Sequence, residues 1–195
     1  TIIMNVQEAT TRRLPDLKER HLPENCRETI NTILKETYGY EQFRNLEIYD
    51  DLSKGKEKLC ISQGQLIENV ILEAEKAWKG ETQVDNILLT APTGSGKSLL
   101  FQLPAIYLGK EYNLLTIVVS PLKALIVDQV ESLQELGYMR VAYASSDLSP
   151  EQKMEVYRQV REGEIDLFYL SPELLLSYDI KHFVGERRIG LVVVD

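Results

Sequence analysis

Short runs of Val, Ile and Leu alternate with stretches of helical spacing from Asn86 to Asp195, and this alternation limits the fold more than any other property of the chain. The runs lie at 86–90, Leu114–Ser120, Arg140–Ala144, Ile165–Leu170 and Ile189–Val194, with helices predicted between them at 97–108, 122–136, 150–162 and 172–178. Successive strands joined by helices run parallel, because a parallel pair needs a long crossover that a helix supplies. The runs are apolar at nearly every position, as expected of strands covered by helices on both faces. The expectation is an α/β fold with a parallel sheet flanked by helices. Punctuation agrees with it: Ser149 and Pro150 read as N-cap and first helical residue, with Gln152 near the capping-box position and Gly163 as a stop. Pro121 and Pro172 fall just inside the starts of their helices, and Gly137 ends the helix that begins near Leu122.

The first strand-to-helix junction carries chemistry. Ala91-Pro92-Thr93-Gly94-Ser95-Gly96-Lys97-Ser98 follows the run Asn86–Thr90 and opens the helical pattern at Leu99. In a glycine loop of this kind the backbone N–H groups and the positive helix N-terminus face the α- and β-phosphates of a nucleotide. Lys97 then reaches the β/γ oxygens, and the Ser98 hydroxyl ligates Mg²⁺. Pro92, Thr93, Gly94, Ser95, Gly96, Lys97 and Ser98 are therefore the candidate nucleotide-binding residues. Alanine replaces the usual first glycine, a departure of one methyl group. A chance Gly/Ser turn ahead of a lysine is the competing explanation, and the strand-to-helix setting weighs against it.

Composition bounds the rest. At 195 residues, 44% apolar and 27% charged, the chain has the make-up of a globular domain with an accessory segment. No apolar run approaches the roughly 20 residues that cross a bilayer, and no leader pattern stands at the start, so an intracellular protein without membrane contact is expected, cytoplasmic or nuclear. Cys26 and Cys60 form no CxxC pair, and His21 and His182 are isolated, which leaves neither a disulfide framework nor a zinc site. The net charge of −8 argues against strong non-specific phosphate binding while leaving room for a local groove.

Residues 1–60 differ in character. They are polar and charged, with a helix predicted from Glu24 to Thr37 between Pro23 and Gly39, and Ser53-Lys54-Gly55-Lys56 reads as a turn. The expected organisation is a mainly helical accessory segment over 1–60 and a nucleotide-binding lobe over 61–195.

Later segments narrow the class. Val118-Val119-Ser120-Pro121-Leu122-Lys123-Ala124-Leu125-Ile126-Val127-Asp128-Gln129 resembles motif Ia of superfamily 2 helicases, Asp166–Leu175 resembles motif Ib, and Leu191-Val192-Val193-Val194-Asp195 resembles the strand of motif II. With Thr90–Ala105 as motif I, the order over about 65–195 resembles the RecQ-like branch of DEAD/DEAH-type ATP-dependent DNA helicases. The resemblance implies a P-loop NTPase fold, here an incomplete first RecA-like lobe, with ATP and Mg²⁺ as cofactors and DNA as partner. It also implies that Lys97 and Asp195 are catalytic, that Asp195 holds Mg²⁺ with Ser98, and that a glutamate and a second RecA-like lobe with an arginine finger follow. Without those parts the expectation is nucleotide binding without turnover.

Physical reasoning gives motif Ia a role of its own. A Ser-Pro turn at the carboxyl end of a strand presents amide donors and a hydroxyl where α/β sheets bind ligands, so Ser120, Lys123 and Ser171 are candidates for successive phosphates of one nucleic-acid strand. Read alone, each Ser-Pro is equally a plain N-cap followed by proline. For the adenine base, Gln65 after Ser62-Gln63-Gly64 is favoured, since a glutamine amide pairs with N6 and N7 together. Tyr38-Gly39-Tyr40-Glu41-Gln42-Phe43-Arg44 resembles the aromatic-arginine motif of RecQ-like proteins, with Tyr40 and Arg44 as stacking partners and an insertion before Gln65; Glu47 stands where that frame would have glutamine. A double-stranded DNA translocase or RNA helicase, a nucleotide-sensing scaffold and a small-molecule kinase are the alternatives, the last disfavoured because no Arg-rich lid follows the loop helix.

Overall fold

The computed structural model describes residues 23–49, 58–89 and 94–195. Helix α1 (Glu28–Tyr38) leads into a hairpin of β1 (Asn45–Tyr49) and β2 (Lys58–Ser62), and then α2 (Gln63–Trp78). There follow α3 (Leu99–Tyr112), β3 (Leu115–Val119), α4 (Lys123–Glu135), β4 (Val141–Ala144), α5 (Pro150–Arg161), β5 (Leu167–Leu170), α6 (Pro172–Ser177), α7 (Ile180–Val184) and β6 (Ile189–Val194).

Four strands form one sheet in the order β4-β5-β3-β6, and every pairing in it is parallel. Alternation along β3 shows how both faces are filled. Leu115, Ile117 and Val119 point to a core built with Tyr157, Val160, Phe168, Phe183 and Val184, whereas Val118 points to a larger one formed by α1 through α4. Side chains that alternate by two therefore meet helices on either side, which explains the all-apolar runs. A fully buried side chain of Phe183's size contributes roughly 2–3 kcal/mol through loss of apolar surface.

The helix starts at Ser149 and Ser171 follow the sequence signals. Ser149 accepts from Gln152 N and the Gln152 amide returns the bond, a complete capping box, and Ser171 accepts from Leu174 N. Other expectations are corrected. The run 86–90 forms no strand over its described residues 86–89, and Leu88 is 79% exposed there; an apolar run supplies the side chains for a ladder, but the partner edge decides whether one forms. The helix expected from Glu24 begins at Glu28, and its stop is the predicted Gly39, at φ +70°. The accessory segment is not only helical, since it contributes β1 and β2, while Ser53–Lys56 lies outside the described residues. Helix α7 lies outside the helices expected from the sequence.

Ser120-Pro121 also departs from expectation. Helix α4 is capped at Leu122, so Pro121 precedes it and Ser120 caps nothing. Ser120 instead directly follows β3, where its N–H donates to Leu170 O at 3.1 Å.

At the opposite end of the sheet a buried carboxylate ties elements together. Asp166 is fully buried and accepts from Tyr138 Oη at 2.8 Å, from Arg140 Nε at 2.6 Å and from Arg187 Nη2 at 3.1 Å. Charge-assisted bonds from two guanidinium groups compensate its removal from water.

Candidate functional site

Three candidate residues come together at the carboxyl edge of the sheet. Ser120 directly follows β3, Ser171 follows β5 and Asp195 follows β6, and Asp195 N donates to Val119 O at 3.0 Å. Ser120, 2% exposed, has a hydroxyl without a partner, whereas the Ser171 hydroxyl is occupied as an N-cap. Asp195 is exposed. Lys123, at the first turn of α4, pairs with Asp147 at 2.9 Å and with the Ser146 hydroxyl, so its ammonium lies against the turn after β4. That contact holds the exposed Asp147 carboxyl below its ordinary range.

The glycine loop leads into α3. Thr90, Ala91, Pro92 and Thr93 lie outside the described residues. Gly94 and Gly96 adopt φ +81° and +80°, the left-handed region that glycine reaches without strain. The Ser95 hydroxyl is buried without a partner, and Lys97 is half-buried ahead of the helix, its carbonyl accepting from Leu100 N at 2.9 Å. Ser98 is the N-cap of α3, yet its side chain makes no capping bond. Its hydroxyl instead accepts from Gln129 Nε2 at 2.9 Å.

Gln63, which the sequence reading passed over, braces the loop. Its Nε2 donates to Ser95 O at 3.3 Å, its Oε1 accepts from Arg44 N at 3.2 Å, and its N–H donates to Arg44 O at 2.9 Å. A Cβ on Gly96 would stand 2.7 Å from the Gln63 amide, so the loop backbone passes close to it.

The inserted residues between Arg44 and Gln63 prove topologically neutral. Strands β1 and β2 pair antiparallel with Asn45 opposite Ser62, which returns the chain to the point where it left. Gln42, Phe43, Ser62, Gly64 and Gln65 consequently line one open cleft of about 520 Å³. Gly64 permits the approach, since a Cβ there would be 2.7 Å from the Phe43 ring. Within the cleft Gln65 completes a capping box, accepting from Ser62 N at 3.0 Å and donating to Pro23 O at 3.1 Å. Tyr40 is 51% exposed and stacks on Tyr38 with centroids 6.4 Å apart, and Arg44 is also exposed.

Behind the loop lies a polar chain within the apolar core. Gln102 Nε2 donates to Gln129 Oε1 at 2.7 Å and approaches Tyr169 Oη at 3.4 Å, while Tyr38 Oη donates to Gln102 Oε1 at 3.0 Å. Burial pushes the Tyr169 phenol up to about 12, with the Asp195 charge adding to it, and burial likewise raises Tyr38, so both stay protonated. Gln102 and Gln129 lie within the segments that resemble motifs I and Ia, where the sequence alone assigns them no role. The available signal was a glutamine set among core-spaced apolar residues.

A second cluster anchors α1 to the lobe. Arg27 pairs with Glu68 at 2.5 Å and Glu75 at 2.7 Å, and its guanidinium lies 4.8 Å from the centre of the Tyr107 ring. Burial opposes ionisation of Glu75, but bonds from Arg27 and Tyr112 outweigh it and hold the carboxyl below its ordinary value. Among the described residues, no group of three or more His, Cys, Asp or Glu side chains could hold a metal, and no helix is long and apolar enough to cross a membrane.

Comparison with known proteins adds a family match. The family model described as DEAD/DEAH box helicase matches residues 64–195. An ATP-dependent DNA helicase RecQ of Synechocystis is 32% identical over 85% of this chain and 28% of its own length. The ATP-dependent DNA helicase Q-like 5 of Arabidopsis thaliana is 32% identical over 86% of this chain and 15% of its own. The crystal structure of the DUF1998 helicase MrfA bound to DNA aligns with a TM-score of 0.49 at 21% identity, covering 84% of this chain and 19% of that one. The chain thus spans less than a third of the curated relatives it matches.

Proposed function

Because this chain belongs to the DEAD/DEAH box helicase family, we propose that it is the nucleotide-gripping lobe of an ATP-dependent motor that moves on and unwinds DNA. The observation that carries the reading is the loop at the start of α3: two glycines at positive φ, a buried hydroxyl on Ser95 without a partner, and a Ser98 hydroxyl not consumed by capping. These are the features of a backbone cradle for phosphate oxygens.

In this reading Gly94, Ser95 and Gly96 hold the phosphates, with Pro92 and Thr93 completing the loop, and Lys97 neutralises the β/γ oxygens. The residues fit Mg²⁺ as well. Ser98 retains a lone pair beyond the one that Gln129 uses, and Asp195 is an exposed carboxylate on the neighbouring sheet edge, so both offer the hard oxygen ligands that this ion prefers. Bound there, Mg²⁺ would offset negative charge on the transferring phosphoryl group. The cleft lined by Gln42, Phe43 and Gln65 takes the purine, with Tyr40 and Arg44 at its exposed rim. For Gln65 to read the base, its amide must exchange the Pro23 carbonyl for the ligand.

Ser120, Lys123 and Ser171 lie on the same edge as Asp195, which supports a role in holding the phosphates of a DNA strand next to the nucleotide. ATP cleavage and movement draw on a second lobe that closes over the phosphates and supplies further positive charge. The test is Lys97→Ala in the full-length protein. The variant should retain its circular dichroism spectrum and lose measurable Mg-ATP binding by calorimetry, and wild-type affinity would refute the phosphate cradle.

A further inference from the structure

The Ser98 side chain ties the glycine loop to the helix that follows β3, and the bond belongs to a run of amides that neither motif explains. The bonds share one direction. Tyr38 Oη donates to Gln102 Oε1, Gln102 Nε2 donates to Gln129 Oε1, and Gln129 Nε2 donates to Ser98 Oγ, at 3.0, 2.7 and 2.9 Å. Each amide therefore uses its oxygen toward α1 and its nitrogen toward the loop. The polarity has a source at Tyr38, whose phenol is kept protonated by burial and can give a proton to the first amide oxygen.

The consequence falls on Ser98. A hydroxyl that accepts from Gln129 has one lone pair engaged and its oxygen held in place, and its proton and second lone pair share the two remaining tetrahedral directions, away from Gln129. With the chain reversed, Ser98 would commit its proton to Gln129 instead of keeping it for another acceptor. We propose that Gln129 is a positioning residue, held by Gln102 and Tyr38, that orients the Ser98 hydroxyl for a divalent cation and links that hydroxyl to α4. The proposal rests on the reading of Ser98 as a Mg²⁺ ligand. Partners that orient a ligand in this way typically contribute 10–100-fold to metal affinity. Because Gln129 belongs to the helix that begins at Lys123, the same bond joins Ser98 to the element that carries one of the nucleic-acid candidates.

The test uses Gln129→Met, which keeps length and volume at a half-buried position while removing both hydrogen bonds. In the full-length protein, ATP binding is measured by equilibrium dialysis as Mg²⁺ is titrated, and again in EDTA. The expected result is a rise of about tenfold or more in the Mg²⁺ concentration for half-maximal binding, with ATP affinity in EDTA unchanged, since the amide acts on the hydroxyl and not on the phosphates. A parallel Ser98→Ala variant separates the two ideas. If Ser98→Ala raises the Mg²⁺ requirement and Gln129→Met does not, the positioning role is wrong and the reading of Ser98 stands. An unchanged requirement in Ser98→Ala overturns that reading and the positioning role with it. Equal weakening by Gln129→Met in EDTA and in Mg²⁺ marks a general packing effect and also overturns the proposal. In the Ser98→Ala background, Gln129→Met should add nothing.

Discussion

The side-chain amide of Gln63 donates to the carbonyl oxygen of Ser95 at 3.3 Å, which ties the first residue of α2 to the glycine loop. The same side chain accepts from Arg44 N, so one residue braces the loop against the rim of the neighbouring cleft. A loop held before its ligand arrives loses less conformational freedom on binding. Gln63→Ala should therefore weaken Mg-ATP binding by about tenfold while leaving the thermal transition nearly in place, as read by calorimetry and a melting curve; an unaltered affinity would show that the brace has no part in binding.

Gly109 faces the buried Asp166, and a Cβ there would stand 2.3 Å from Asp166 Cγ. The carboxylate has no room to retreat, because Tyr138, Arg140 and Arg187 hold it from other sides. Gly109→Ala should cost about 3 kcal/mol in urea unfolding through overpacking and loss of a buried ionic contact. A change below about 0.5 kcal/mol, the ordinary range of surface substitutions, would contradict the packing described.

The Glu75 carboxyl is held below its ordinary value of 4.5, so its ionised form favours the folded state. The sign follows from linkage: the contribution is complete above the unfolded-state pKa and is lost as pH falls through the folded-state value. Glu75→Gln should lose on the order of 2 kcal/mol at pH 7. The gap from the parent should narrow steadily below pH 4.5, as denaturation at a series of pH values would reveal. A gap independent of pH would mean that the carboxylate charge is not what α1 is held by.

Lys123 is paired with Asp147 across an exposed turn, where such a pair adds little stability. Removing the carboxylate frees the ammonium for phosphate. Asp147→Asn should tighten single-stranded DNA binding several-fold and steepen the slope of log affinity against log salt by about 1. Fluorescence anisotropy across a salt series provides both values, and an unchanged slope would exclude Lys123 from the DNA contact.

Local chemistry explains what could be read without coordinates. Ser149 and Ser171 cap helices because a short polar side chain meets N–H groups two or three residues ahead, an interaction contained within four residues. The same Ser-Pro pair at Ser120 fails to cap, since the helix begins only after Leu122. Likewise the run 86–90 has the composition of a strand but its described residues join no ladder, and β1 and β2 pair across a stretch whose sequence reads only as polar.

By itself the sequence determined the alternation of strand and helix, the parallel sense of the sheet and the glycine turns at Gly94 and Gly96, because these depend on periodicity and on conformations that single residues permit. Tertiary structure alone decided the strand order β4-β5-β3-β6, the return of Gln65 to Phe43 across the inserted hairpin, and the contacts of Gln63, Gln102 and Gln129. Each of these joins residues distant in sequence, and an amide in a core helix bonds to whatever partner the packing of the other elements brings within 3 Å or so.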